Sequence, residues 1–446
     1  MTADESVGPG DTRAPRATLA PSPAAPSLWR HRDFNKLWLG QGISSAGSQV
    51  TRLALPLTAV LYLHASTGQV GLLSAAGLAA YSGPSLLFGV MADRMRKRPL
   101  MIGADLGRTA VIALIPLLAW AKSLDMPVMY AVALVQGALT VIFEVAYRSY
   151  LPGLVGAGTL LAGNSRLQGT ESVAQVTGPA LSGALIQLLG APLTLLVDAA
   201  SFVVSWASLL RIRAQEPEHE RRADSVAGVR GVMSEVRAGL RFIYRSPELR
   251  SVAGSAGLFN VFSQLQITLF LVYAPRQMHM SAGSIGLVFA FLGIGGVVAS
   301  ATVGRAIARF GYGRMLLAGY ALGALAVLAI PLVPGPPVLS TILFAVVYFM
   351  AGFGIITMNI SSMTLRQIAT PAALQGRVNA SFRFAISALM PFSALLAGLL
   401  GERLGLRPTL FICAAGMPLS VVWIALSPIR KVRALEELAP RPQPQA

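Results

Sequence analysis

Residues 89–101 read Gly-Val-Met-Ala-Asp-Arg-Met-Arg-Lys-Arg-Pro-Leu-Met. Four cations and one acid crowd into the six positions from Asp93 to Arg98, and mostly apolar stretches flank them, 69–92 before and 99–121 after. About 20 apolar residues suffice for a helix to cross the hydrocarbon core of a bilayer. The quoted stretch is therefore a short polar loop between two crossings.

Reading outward, apolar spans of similar length recur at 36–63, 126–148, 164–189, 192–212, 250–274, 283–305, 312–333, 338–360, 377–401 and 408–428, making twelve in all. The chain has 446 residues, of which 54% are hydrophobic and only 12% charged. That charged share is about half of what a soluble domain carries. The fold class is thus an all-α polytopic membrane protein. The net charge of +17 does not point to nucleic acid, because the basic residues sit in short loops rather than on an aromatic-and-basic surface. The single cysteine, Cys413, lies inside a span, so no intrachain disulfide forms.

The loops set the orientation. The hairpin tips on one side carry Lys122, Arg276, Arg403 and Arg407, and Arg52 lies in mid-span. The remaining basic residues cluster on the opposite side, which the positive-inside rule assigns to the cytoplasm together with both termini. Residues 1–27 are rich in Pro, Ala and Ser without an apolar core, so they read as a disordered tail rather than a signal peptide. The expected organisation is a cytoplasmic tail over 1–30, a six-helix bundle over 31–212, a cytoplasmic linker over 213–249, a second six-helix bundle over 250–430 and a tail over 431–446. Within the linker, 231–245 has the pattern of an amphipathic helix with Arg237, Arg241 and Arg245 toward anionic membrane lipid.

A gapless shift of 215 residues aligns the halves. Gly89 falls on Gly304, Arg94 on Arg309, Asn164 on Asn379, Gly183 on Gly398, Gly190 on Gly405 and Thr194 on Thr409. The shared offset, landing on equivalent helix ends, marks an internal parallel repeat.

With these residues in view, the loop resembles the signature between helices 2 and 3 of the major facilitator superfamily of transporters, G-x-x-x-D-R-x-G-R-[R/K]. Gly89, Asp93, Arg94, Lys97 and Arg98 match, while Arg96 replaces the second glycine. Span 5 carries Gly178, Pro179 and Gly183, similar to the motif of the antiporter branch. Gln49, Arg52 and Leu55–Pro56 in span 1, Asn164, Asp198 with Ser201–Phe202, and Gly376–Asn379 resemble the bacterial drug:proton antiporters that include macrolide and siderophore exporters. The resemblance implies two pseudo-symmetric bundles and a conformational switch at the loop, with Asp93 near Arg377. It also implies a central cavity lined by helices 1, 4, 7 and 10.

On that basis, Gln41, Ser45, Ser48, Gln49 and Arg52 of span 1, Gln136 of span 4, and Asn260, Ser263 and Gln264 of span 7 are the cavity candidates. Polar contacts between packed helices are the alternative. A cation in mid-membrane, such as Arg52, faces either water or an acid. Asp105 with Arg108, and Glu144 with Arg148, have the i, i+3 and i, i+4 spacings of helical charge pairs. Glu171, and after it Asp198, lack a cation on their own helical face and are the candidates for carrying a proton. No P-loop and no His/Cys cluster occurs, so neither enzyme chemistry, a metal nor a cofactor is expected. The expected function is export of a small amphiphile, drug-, macrolide- or siderophore-like, by a monomer that works by alternating access in exchange for protons. An importer or facilitator of the same fold and a non-transporting membrane sensor or assembly factor are the alternatives.

Overall fold

A computed structural model of the chain describes residues 28–82, 88, 95–214, 216, 229–371 and 374–432. Gly89, Asp93, Arg94 and most of both tails lie outside the described residues. The described chain is helical without a strand. The first six helices are α1 (Arg32–Leu57), α2 (Thr67–Ser82), α3 (Lys97–Trp120), α4 (Met126–Val155), α5 (Leu160–Leu189) and α6 (Ala191–Leu210). A linker helix, α7 (Val229–Arg245), follows. The second set is α8 (Pro247–Arg276), α9 (Ala282–Phe310), α10 (Tyr312–Ala329), α11 (Pro337–Ala369), α12 (Gln375–Leu404), α13 (Leu406–Gly416) and α14 (Pro418–Ala425).

Ten crossings among the described residues are long and apolar enough to span a membrane, counting α13 and α14 as one. The other two of the twelve are α1, diluted by its polar residues, and α2, described for 16 residues only. The last span is interrupted at Met417, because Pro418 has no N–H to continue the ladder. Pro56 has a similar effect near the end of α1, which runs on as a π turn over Thr58–Tyr62.

Sequence sets the helix ends as well. Asp125 accepts from the Val128 N–H at 3.0 Å and Ser246 from the Leu249 N–H at 3.3 Å, each satisfying a donor left open in a first turn. Gly190 and Gly405 precede α6 and α13 at φ of 81° and 89°, a left-handed conformation that favours glycine. They are one 215-residue offset apart, so the repeat extends to backbone conformation.

Both ends of the described chain, and α7, lie at one end of the bundle, here termed the terminal end; the opposite end is distal. Each set of six packs within itself, α1 on α6 and α3 on α6, α9 on α11 and α10 on α11. The sets meet along two seams, α5 against α9 and α2 against α12. Glycine makes both possible. A methyl on Gly183 would lie 3.0 Å from Gly286 Cα, and one on Gly398 would lie 2.9 Å from Gly71 Cα. Gly183 and Gly398, and Gly71 and Gly286, are each 215 residues apart. Small residues at such crossings let backbones approach where lipid offers no hydrophobic drive. Around these distal seams, Leu57, Leu73, Ile186, Phe270, Ile285 and Ala397 form one apolar core shared by both halves.

Candidate functional site

On the terminal side of the seams lies a cavity of about 540 Å³ between the two sets of helices. Its volume is in the range that holds drug-sized ligands, roughly 300–1,000 Å³. One wall comes from α1 and α5 and presents Gln49, Arg52, Ser172 and Gln175. The facing wall comes from α8, α9 and α11 and presents Ile267, Leu271, Phe289, Leu292, Val297 and Ile356, with Ser300 as its one polar side chain. Ser172, Gln175 and Ser300 are exposed, as is Arg52, so the cavity is accessible rather than sealed.

The span-5 motif positions the polar wall. Gly178 sits against the Gln49 side chain, leaving no room for a Cβ. Ser182 donates to the Val50 carbonyl at 3.1 Å, fixing α5 on α1. Pro179 lines the cavity, and its carbonyl abuts Gly286 of α9. Gly178, Pro179 and Gly183 thus join the polar wall to the α5–α9 seam.

A second pocket, about 670 Å³, lies along α1, α4 and α5 and includes Gln41, Ser45, Arg148, Asn164 and Glu171. Glu171 is half-buried there and accepts from Gln175 Nε2 at 3.3 Å. Ser172 lines both spaces, and Gln175 of the larger one bonds to Glu171 of the smaller. Of the five span-1 candidates, Gln49 and Arg52 reach the larger cavity; Gln41 and Ser45 line the smaller one, and Ser48 lines neither.

Behind the polar wall is a buried charge cluster. Asp105 and Arg108 of α3 form an ion pair with almost no exposure. The Arg108 guanidinium is held between the Phe143 and Phe202 rings, 4.3 Å from each centroid. Such stacking on the ring faces favours a desolvated cation. Asp198 of α6 is fully buried; it accepts from Thr51 Oγ1 at 2.5 Å and from Ser201 Oγ at 3.0 Å. Gly47 of α1 packs directly on Asp198 and Ser201. Among the described residues no cation forms an ion pair with Asp198.

Several expectations change. Helix 4 does not line the larger cavity, and α5 and α9 do. Gln136 is half-buried with Oε1 unpartnered, away from that space. Asn260 donates to Ala256 O at 2.8 Å within its own helix, Gln264 donates to Thr268 at 3.1 Å, and Ser263 faces a small gap inside the second half. The face of α8 turned to the cavity is the apolar one, Ile267 and Leu271 at i, i+4 spacing. Among the described residues no ion pair joins Glu144 to Arg148, because Arg148 turns out into the second pocket. Arg98 of the signature loop has a tying role: its guanidinium donates to Leu209 O and Leu210 O, each at 2.9 Å, at the end of α6. Its backbone N–H and that of Lys97 donate to the Glu216 carboxylate, which sits at the start of α3, where a negative charge suits the helix dipole. Arg377 pairs with Glu235 of α7 at 3.7 Å.

The Phe143–Arg108–Phe202 stack and the apolar wall went unread in the sequence. The 215-residue shift does relate Arg52 to Ile267, and that pairing of a cation with an isoleucine was the available signal.

A family model for the Major Facilitator Superfamily matches residues 37–394. The chain belongs to the Major Facilitator Superfamily. Membership makes it a transport protein rather than an enzyme. It is similar to a protein named multidrug efflux pump Tap from Mycolicibacterium fortuitum, with 27% identity over 408 residues, 90% of this chain and 96% of that one. It is also similar to the pump of the same name from Mycobacterium tuberculosis strain H37Rv, 28% identical over 216 residues. That match spans 47% of this chain and about half, 50%, of the relative. Macrolide efflux protein A of Streptococcus pyogenes is 24% identical over 40% of this chain and 44% of its own. Among solved structures, the nucleoside transporter NupG superposes with a TM-score of 0.68 at 11% identity, covering 90% of this chain and 100% of that one. A bacterial homologue of the iron transporter ferroportin, in an inward-facing state, gives 0.67 at 16% identity, covering 90% and 98%. These likenesses carry the fold. The superfamily's two pseudo-symmetric six-helix bundles account for the paired seams.

Proposed function

We propose that this transporter exports a small amphiphilic compound, drug-, macrolide- or siderophore-like, across the bacterial inner membrane by alternating access in exchange for protons. The carrying observation is the cavity itself: it lies between the halves, is closed off distally by the two glycine seams, and among the described residues keeps Arg52, Ser172, Gln175 and Ser300 exposed on the terminal side of those seams. With the termini in the cytoplasm, as the basic loops favour, this is the form in which an exporter takes up its cargo. The efflux names of the relatives that resemble it point the same way.

For the coupling carboxylate, the geometry favours Asp198 over Glu171. Asp198 is fully buried and is met by the hydroxyls of Thr51 and Ser201. A hydroxyl can donate to a carboxylate or accept from a carboxylic acid, so this site suits both protonation states without rebuilding. Thr51 adjoins Arg52 on α1, which gives the buried acid a short mechanical route to the cavity. Everted membrane vesicles test the whole reading. Imposing an inward-acid gradient should drive amphiphile uptake into them, and collapsing the gradient should stop it. Uptake that ignores the gradient would remove proton exchange. Accumulation in intact cells instead would reverse the direction.

A further inference from the structure

We infer that the cavity selects amphiphiles whose polar head is an oxyanion, a carboxylate, sulfonate or phosphate, and that Arg52 is the residue that receives it. This inference rests on the reading of the cavity as the transported compound's site and narrows the substrate class. Arg52 is the one charged side chain in the cavity lining. It makes no hydrogen bond or ion pair with any described residue. Its five N–H donors thus have no partner among the described residues and are directed at a space large enough for a ligand. A guanidinium matches an oxyanion through paired, charge-assisted hydrogen bonds.

The surroundings sharpen the preference. Gln49, one turn back on α1, and Gln175, across on α5, flank Arg52 with amides that can donate to further oxygens. The facing wall is aliphatic and aromatic, so a molecule held by its head at Arg52 lays its apolar body against Ile267, Leu271 and Phe289. A cationic amphiphile would meet a like charge in a partly desolvated site with no acid in the lining. The acids nearby lie outside the lining: Glu171, which accepts from Gln175 and shares a side pocket with Arg148, and Glu144, which with Arg52 acts on the Tyr81 hydroxyl.

Three probes of one ring system test this on the purified full chain in detergent: 1-naphthaleneacetate, its methyl ester and 1-naphthylmethylammonium, followed by calorimetric titration. The acid should bind at least about tenfold more tightly than either analogue, within what a hydrogen bond to a charged group supplies. Arg52→Gln should remove that advantage and leave ester binding unchanged, which also shows that the cavity is folded. Arg52→Lys should keep part of the advantage, as a point charge without the fork. Glu171→Gln should leave the order of the three probes as it is. Equal or tighter binding of the ammonium, or an acid affinity untouched by Arg52→Gln, would overturn the inference. The export reading fails separately: if the acid binds through Arg52 but vesicles never accumulate it, oxyanion recognition stands and transport of such compounds falls.

Discussion

Where α1 of the first half carries Arg52, α8 of the second half carries Ile267, 215 residues on, and both side chains line the same cavity. The same offset sets buried Asp198 against buried Cys413, and buried Asp105 against buried Tyr320. Among the crossings of the first half, four interior positions hold acids: Asp105, Glu144, Glu171 and Asp198. In the second half, acids occur only toward helix ends, Glu248 in the first turn of α8 and Glu402 at the end of α12. The seams, by contrast, use equivalent glycines in both halves. Backbone approach was kept in both copies of the repeat, while ionisable chemistry was kept in one. Rocking needs two matched surfaces, but a proton and a charged head group need only one responsive wall.

The largest effect should come from exchanging the partners in that comparison. Asp198→Asn should abolish gradient-driven transport and the proton release seen when substrate is added to purified protein, while substrate still binds. Cys413→Ser, at the equivalent buried position, should leave both signals in place. If Asp198→Asn still releases protons on substrate addition, the division of labour between the halves is wrong, and Glu171 becomes the next position to vary.

The charge cluster gives the largest stability effect. Asp105→Asn leaves the Arg108 guanidinium buried without its counter-charge, a change that costs about 3–5 kcal/mol. Replacing both, Asp105→Leu with Arg108→Met, should recover most of that loss, since a buried pair exchanged for apolar groups is often neutral. Denaturation in detergent measures both. A mild single variant would mean that the Phe143 and Phe202 rings alone carry the cation.

Much of this was legible in the chain. Apolar spans separated by basic loops gave the twelve crossings, and the common offset of Gly183 and Gly398 gave the repeat. The spacing of Asp105 and Arg108 placed them on one helical face, though their aromatic sandwich needs three helices and has no local signal. The cavity lining was read less well, because rotation of a helix about its axis decides it. The polar residues Asn260, Ser263 and Gln264 and the apolar pair Ile267 and Leu271 belong to one helix, and only packing decides which set meets the ligand. In helix 4 the same ambiguity left Gln136 off the larger cavity.

The seams test the symmetric part. Gly183→Val and Gly398→Val each add bulk against a backbone that cannot yield, and overpacking of this kind costs about 1–3 kcal/mol. The distally closed population should fall about 5- to 150-fold for either variant. Spin labels on Gln69→Cys and Arg403→Cys, which flank the α2–α12 seam, should move apart in both. A response to Gly398→Val alone would show that the seams open independently and that the halves do not move as bodies.

The smallest effect belongs to α7, which extends the contrast to the linker. This helix packs on α12 and α8, so it travels with the second half. Two kinds of contact could hold it there. One is the ion pair of Glu235 with Arg377, 3.7 Å apart and about half-exposed on both sides. The other is close packing: Gly239 lies against the Arg377 carbonyl and Ser381, Ser381 donates to the Val236 carbonyl at 3.0 Å, and Val236 and Ile243 are buried. Exposed pairs contribute about 0–1 kcal/mol after screening by solvent and salt, so the packing should dominate. Glu235→Gln should therefore leave α7 docked, with protease sensitivity of the linker unchanged at both low and high salt. Gly239→Val should release it, because a branched side chain cannot share that space with Ser381. If Glu235→Gln also released the helix, or if salt alone did, the linker would be an electrostatic tether rather than a packed part of the second half.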